Sequence, residues 1–212
     1  KIRKIADQNK IILIFDEITS GFKDIYGGIH LKFKVNPDIA IFGKSIGNGY
    51  PISTIIGKRK LMDCAQDTFI SSTMWTDRLG FIAANETLKK LKKENVNSKI
   101  CNIGKKIKKS WIKIAKKNNI NISVGGLNAI PSLSFDYKNS QEISTFFIQE
   151  MLKKGFLANT TISISYAYTD QIINKYLKTV DEVFKQIRFS FDKKKFLLDG
   201  PIRHSTFKRL NG

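Results

Sequence analysis

Two residues in this sequence have types and positions that could do chemistry. Asp16 closes the apolar run Ile11-Ile12-Leu13-Ile14-Phe15, and Lys44 follows the run Ile39-Ala40-Ile41-Phe42 after a single glycine. Each run has the length of a strand, and a continuously apolar strand is expected in a parallel sheet covered on both faces. In such sheets ligands bind beyond the carboxyl ends of the strands, where both residues fall. A carboxylate and an amine 28 residues apart at matching strand ends are the pair that pyridoxal phosphate chemistry requires. One holds a proton on the pyridine nitrogen and the other forms a Schiff base. Once displaced by a substrate amine, the lysine becomes a free base placed to move a proton.

Other assignments compete for the same residues. An apolar run ending in Asp16-Glu17 also describes a Walker B strand, and Gly43-Lys44-Ser45 the end of a Walker A. The glycine that opens a Walker A would fall at position 38, which is Asp38 inside a strand, and the order of the two motifs is reversed. Taken separately, Asp16 reads as a helix cap and Lys44 as a surface lysine.

The elements that must position the pair follow from the apolar pattern. Residues 1–9 read as the last turns of a helix, 11–15 and 38–42 as buried strands, and 19–37 as a loop rich in glycine and polar groups. Residues 43–51 form a glycine-punctuated turn, 53–57 a third short strand and 58–65 a short helix. A helix over 76–93 presents Leu79, Ile82, Ala83 and Leu88 at helical spacing. A second, over 98–117, has Ile100, Ile103, Ile107, Trp111 and Ile114 on one face and lysines on the other, the pattern of a solvated amphipathic helix. Strands near 121–125 and 130–135, a helix at 141–153, an extended stretch at 160–165 and a helix at 170–188 complete the chain. The fold class is α/β, with residues 1–93 forming part of a sheet domain and 94–212 a smaller α+β domain.

Composition bounds the function classes. No apolar run is long enough to span a bilayer, and the first residues, Lys1-Ile2-Arg3-Lys4, lack the apolar core of a signal peptide. The absence of an initiator Met and the helix-tail character of the start lead us to expect a C-terminal fragment of a longer protein. The net charge of +19 invites a nucleic-acid reading. Of the 37 basic residues only six are Arg, however, and base and phosphate readers lean on Arg forks. A compositional bias toward Lys, Ile and Asn accounts for the charge without a nucleic-acid partner. Cys64 and Cys101 have no CxxC spacing and read as free thiols of a reducing compartment. His30 and His204 lack a second ligand at metal spacing, so no metal site is expected.

The wider pattern carries a resemblance. Leu13-Ile-Phe-Asp16-Glu17-Ile18-Thr-Ser-Gly21-Phe22, then Pro37-Asp38-Ile-Ala-Ile-Phe-Gly43-Lys44-Ser-Ile-Gly47-Asn-Gly49-Tyr-Pro51, resembles the class III aminotransferases, enzymes of fold type I that depend on pyridoxal 5′-phosphate. Phe69-Ile-Ser-Ser72-Thr73-Met-Trp75 matches the family's next motif, and Ile164-Ser-Tyr-Ala-Tyr168-Thr-Asp170 is similar to its glutamate-1-semialdehyde aminomutase branch. The resemblance covers nearly the whole chain. It implies that residues 1–93 are the C-terminal part of the large cofactor-binding domain and 94–212 a small C-terminal domain. It implies that Asp16 pairs with the pyridine nitrogen, that Lys44 is the Schiff-base lysine, that Ile18 packs on one ring face, and that Ser72 and Thr73 bind the cofactor phosphate. It further implies a cytoplasmic homodimer in which Thr73 reaches the partner's cofactor, acting on a small-molecule amine, amino acid or amino sugar, with no nucleic-acid or membrane partner.

The departures qualify the substrate. Thr19 stands where many members carry Gln and the aminomutases Met, Lys23 replaces a common Arg, and Tyr168 a common His. Residues 156–170 contain no Arg of the kind that holds the substrate α-carboxylate in 2-oxoglutarate-using members. The family's phosphate-cradling loop and ring-stacking aromatic lie upstream of the Asp16 motif in its members. Transamination is the first expectation and intramolecular transfer on glutamate-1-semialdehyde the second. A basic nucleic-acid-binding domain and an inactive fragment are the remaining alternatives.

Overall fold

The computed structural model describes residues 1–71 and 73–204. The chain divides into two compact units, Lys1–Cys101 and Asn102–Gly212.

The first unit begins with α1 (Ile2–Gln8), β1 (Ile14–Asp16), β2 (Ile39–Phe42) and β3 (Thr54–Gly57). β1 and β2 are parallel, with Asp16 opposite Ile41. β2 and β3 are antiparallel, with Phe42 opposite Thr54. The reversal at β3 follows from chain length, because only eleven residues without a helix separate Phe42 from Thr54, fewer than a parallel crossover needs. Asp38 anchors the sheet at its other end. Its carboxylate accepts hydrogen bonds from Leu13 N at 2.8 Å, Arg3 Nη1 at 2.8 Å and Lys58 Nζ at 2.6 Å. These bonds hold it far below the usual carboxylate range.

The expectation of a doubly covered strand over 11–15 needs correction. The ladder starts only at Ile14, because the Leu13 amide is taken by the Asp38 side chain. Ile11, Ile12 and Ile14 are each about half exposed among the described residues. β2 is the covered strand, with Ala40 and Phe42 buried.

A short helix α2 (Arg59–Met62) runs into a 3-10 segment over Asp63–Asp67, and α3 (Arg78–Lys93) follows. α3 is capped by Asp77, whose carboxylate accepts from Leu79 N at 2.8 Å. Of the face read from the sequence, Leu79 and Ile82 are exposed and Ala83 and Leu88 half-buried, while Gly80 and Ala84 are buried. The reason is close approach: a Cβ on Gly80 would lie 3.0 Å from the Pro51 carbonyl oxygen. The helix therefore meets the Pro51–Ile52 backbone through its small residues.

α4 (Val96–Lys117) carries the chain into the second unit, which contains β4 (Ile122–Gly126), β5 (Pro131–Phe135), α5 (Ser140–Lys153) and α6 (Asp170–Asp192). β4 and β5 form an antiparallel hairpin, and Thr161, in the expected extended stretch, bridges to Ser132 of β5. α6 buries Ile173, Tyr176, Val180, Val183, Phe184 and Ile187 at steps of one, three or four, the stripe of a helix seated on a core. Phe135, Phe147 and Phe184 form a cluster with centroids 5.7–6.1 Å apart. Each such ring contributes about 1.5–3 kcal/mol by burial. Trp111 Nε1 donates to the Tyr176 hydroxyl at 3.2 Å inside this core. The lysine face of α4 is solvated as expected, with Lys106 and Lys117 paired to Asp170 and Asp181 at 2.8 Å each.

Gly104 in α4 admits no side chain, because an added Cβ would lie inside the Asn128 carbonyl group. Gly104→Ala is expected to cost about 3 kcal/mol or more, since backbone cannot yield as a side-chain tip can. The midpoint of urea unfolding measures it.

Candidate active site

The turn after β2 presents Lys44. Gly43 is buried and Lys44 is exposed with a φ of +43°, in the left-handed region. Asn48 and Gly49 share that region, at +48° and +106°. The turn is closed by Ile46 N to Gly43 O at 3.2 Å and Asn48 N to Lys44 O at 3.0 Å. A side chain at Gly47 would strike the Tyr50 carbonyl. A lysine held in a conformation that L residues disfavour is a strained backbone, of the kind that clusters at functional sites.

The loop after β1 faces this turn. Asp16 is exposed, and its Oδ1 accepts from Ile18 N at 3.0 Å, which directs the chain out of the strand. The Ile18 side chain lies against Gly43: an ideal Cβ there would be 3.5 Å from Ile18 Cγ2. The next residue, Thr19, accepts a hydrogen bond from Lys44 Nζ at 2.7 Å. Lys23, from the same loop, loses proton affinity first through burial and then through the nearby Lys44 charge. Asn97 Nδ2 holds the loop backbone by donating to the carbonyls of Phe22, Lys23 and Ile25 at 2.8–3.3 Å.

Glu17 organises the loop from inside. It is 1% exposed. Its carboxylate accepts from Ser20 Oγ at 2.9 Å, Ile29 N at 2.6 Å, His30 N at 2.9 Å and His30 Nδ1 at 2.8 Å. An ionised carboxylate only accepts, so His30 Nδ1 carries a hydrogen. Burial pushes the Glu17 pKa up, but the bonds from His30, Ile29 and Ser20 outweigh it and leave it lowered.

A family model described as Aminotransferase class-III matches residues 1–184. The chain belongs to the class III aminotransferase family. It is 26% identical over 193 residues to the 3-aminobutyryl-CoA aminotransferase of Cloacimonas acidaminovorans (strain Evry), covering 88% of this chain and 47% of that protein. Its fold resembles the PLP internal aldimine form of the FumI protein of Sphingopyxis sp. MTA144, with a TM-score of 0.83, 23% identity and coverage of 90% and 46%. It also resembles an omega-transaminase from Sphaerobacter thermophilus, with a TM-score of 0.81, 17% identity and coverage of 88% and 47%. The chain thus spans about half the length of the relatives it matches, and its α/β fold is that of these aminotransferases. Pyridoxal 5′-phosphate is the family's cofactor.

The donor set of this aminotransferase chain fits that group. An amine able to attach to an aldehyde and a carboxylate able to hold a ring proton stand beyond adjacent parallel strand ends, with an aliphatic side chain against the glycine before the amine. Asp16, Ile18 and Lys44 all fall at or just beyond the carboxyl ends of β1 and β2. Thr73 stands elsewhere, exposed in a cavity of about 530 Å³ lined by Pro51, Ile52, Trp75 and Phe81 among others, but not by Asp16 or Lys44. Ser72 lies outside the described residues. Glu17 and the Thr19 contact are additions. A signal for Glu17 was present in the acidic residue directly after Asp16 and the Ser20 three positions on, but its partners at 29 and 30 lie across a loop with no regular pattern. Among the described residues no group of three His, Cys, Asp or Glu side chains could hold a metal ion. No helix among them is long and apolar enough to cross a membrane.

Proposed function

We propose that this chain carries the lysine and carboxylate of a pyridoxal phosphate-dependent transaminase acting on a small-molecule amine. The observation that carries this reading is the exposed Lys44 amine, presented from a strained turn beside the strand end that bears Asp16. When bound, the cofactor supplies an electron sink that lets an amino group pass between carbon skeletons. Lys44 is the attachment amine and, when freed, the base that moves the proton at the substrate α-carbon. Asp16 keeps a proton on the pyridine nitrogen, and Ile18 packs on one ring face. Thr73, with Ser72, binds phosphate in a partner subunit's site. Trp75 and Phe81, both more than half exposed beside Thr73, support the homodimer, since apolar patches of this kind mark association surfaces. Residues 1–93 belong to the large domain and 94–212 to a small C-terminal domain, and Cys64 and Cys101, neither of them in a disulfide among the described residues, support a cytoplasmic setting.

A second reading, intramolecular transfer on glutamate-1-semialdehyde, is favoured by the absence of Arg from residues 156–170. An assay without any amino acceptor separates the two, because only the mutase turns over.

The test is the visible spectrum of the full-length protein incubated with pyridoxal phosphate, before and after borohydride. A visible band that borohydride converts to a stable adduct on the Lys44 peptide is the expected result. A protein that gives no band loses the enzyme reading.

A further inference from the structure

We infer that Thr19 is the positioning residue of the Lys44 amine, a role that rests on the reading of Lys44 as the attachment lysine. The Lys44 ammonium donates to Thr19 Oγ1 at 2.7 Å, and among the described residues this is its one hydrogen bond. A lysine carries a long stem with considerable rotamer freedom, and Lys44 is exposed. Without a partner its amine would sweep a wide volume.

Thr19 is fit to restrain it because its own position is over-determined. On one side Asp16 Oδ1 takes the Ile18 amide at 3.0 Å. On the other, Gly21 N donates to Glu17 O at 2.7 Å and Ser20 Oγ to the buried Glu17 carboxylate at 2.9 Å. The two residues that flank Thr19 are thus each tied to the strand end. The second anchor, the Lys44 backbone, is fixed by its own turn. One hydrogen bond between two rigid supports restrains a side chain far better than the same bond between mobile ones.

The chemistry of a hydroxyl suits the task. It accepts from an ammonium and donates to a neutral amine. Thr19 can therefore hold Lys44 in both protonation states that an attachment lysine must pass through. The neighbouring Lys23 cannot replace it, since a second cation repels the first.

The experiment uses the full-length protein, wild type, Thr19→Val and Thr19→Ser, in two arms. In the first, cofactor-free protein is treated with trace acetic anhydride and acetylation of Lys44 is read by peptide mapping against the other lysines. Thr19→Val is expected to change the Lys44 rate by about threefold to tenfold, as loss of one charge-assisted hydrogen bond implies, while the other lysines and Thr19→Ser stay near wild type. In the second, pyridoxal phosphate is mixed in and the visible band is followed in time. Thr19→Val is expected to slow its appearance about tenfold at an unchanged final amplitude, with Thr19→Ser restoring the rate. Wild-type rates for Thr19→Val in both arms overturn the proposal, as does a Thr19→Ser that behaves like Thr19→Val. If the wild type forms no band, the aminotransferase reading fails, and the acetylation arm still decides whether Thr19 holds the amine.

Discussion

On the proposed function, Lys44→Ala is expected to abolish the visible band of the full-length protein with pyridoxal phosphate and to lower amino transfer by about a thousandfold or more, since the attachment amine and the base of that reading would both be lost. The fold tolerates the change. Lys44 is exposed, and among the described residues its side chain makes one hydrogen bond, to Thr19. Stability is therefore expected to stay within about 1.5 kcal/mol of wild type, the most that loss of this one bond costs. Urea unfolding beside the activity assay separates the chemical loss from a structural one. The neighbouring Lys23 makes the experiment sharper. Its ammonium is disfavoured by burial and by the Lys44 charge, and Lys44→Ala removes the second of these. If Lys23 could serve in place of Lys44, borohydride would trap the cofactor on the Lys23 peptide. A trapped adduct there, or retained activity, would sink the assignment of Lys44.

Glu17→Leu is the second large effect, and it acts on stability. The buried carboxylate accepts four hydrogen bonds, two of them from backbone amides. A leucine leaves those donors buried without an acceptor, at a cost of about 3–5 kcal/mol. Glu17→Gln keeps the shape but turns an NH₂ group toward donors, so it falls between leucine and wild type. The same group sets an acid limit. Its pKa is lowered in the folded protein, below the unfolded value of about 4.3. The stability it confers is complete above that unfolded value and is lost as pH falls through the folded one. Urea midpoints for wild type should therefore fall between pH 6 and pH 3 by more than those for Glu17→Gln. Equal pH slopes for the two proteins would show that Glu17 is not the titrating group. Because the Glu17 carboxylate also holds Ser20, its loss should loosen Thr19 and bring the Lys44 acetylation rate toward that of Thr19→Val.

How much of this was legible in advance differs from element to element. The parallel strands were visible because residues 11–15 and 38–42 carry short apolar runs of strand length, but of the two only β2 is covered as such a run implies. α4 and α6 were visible because Ile107, Trp111, Val180 and Phe184 recur at helical spacing. α3 misled the same reasoning. Leu79 and Ile82 keep the helical period but face outward, and Gly80 makes the contact. Periodicity reports which face is apolar, whereas backbone approach depends on what lies opposite.

At the site the division is similar. The sequence alone determined that a carboxylate and an amine follow two strand-length apolar runs, because residue type and strand ends are local properties read from those runs and the glycine that breaks them; that the two strands are neighbours was decided by the sheet. It also determined the family, through motifs that keep their spacing. The tertiary structure decided the rest. It paired Thr19 with Lys44 across 25 positions and Glu17 with His30 across 13, set β3 antiparallel, and put Thr73 in a cavity whose lining lacks the other candidates. Those outcomes depend on the path of irregular loops, which carry no period. Their hydrogen bonds close only when the sheet has already brought distant residues within three ångströms or so of each other.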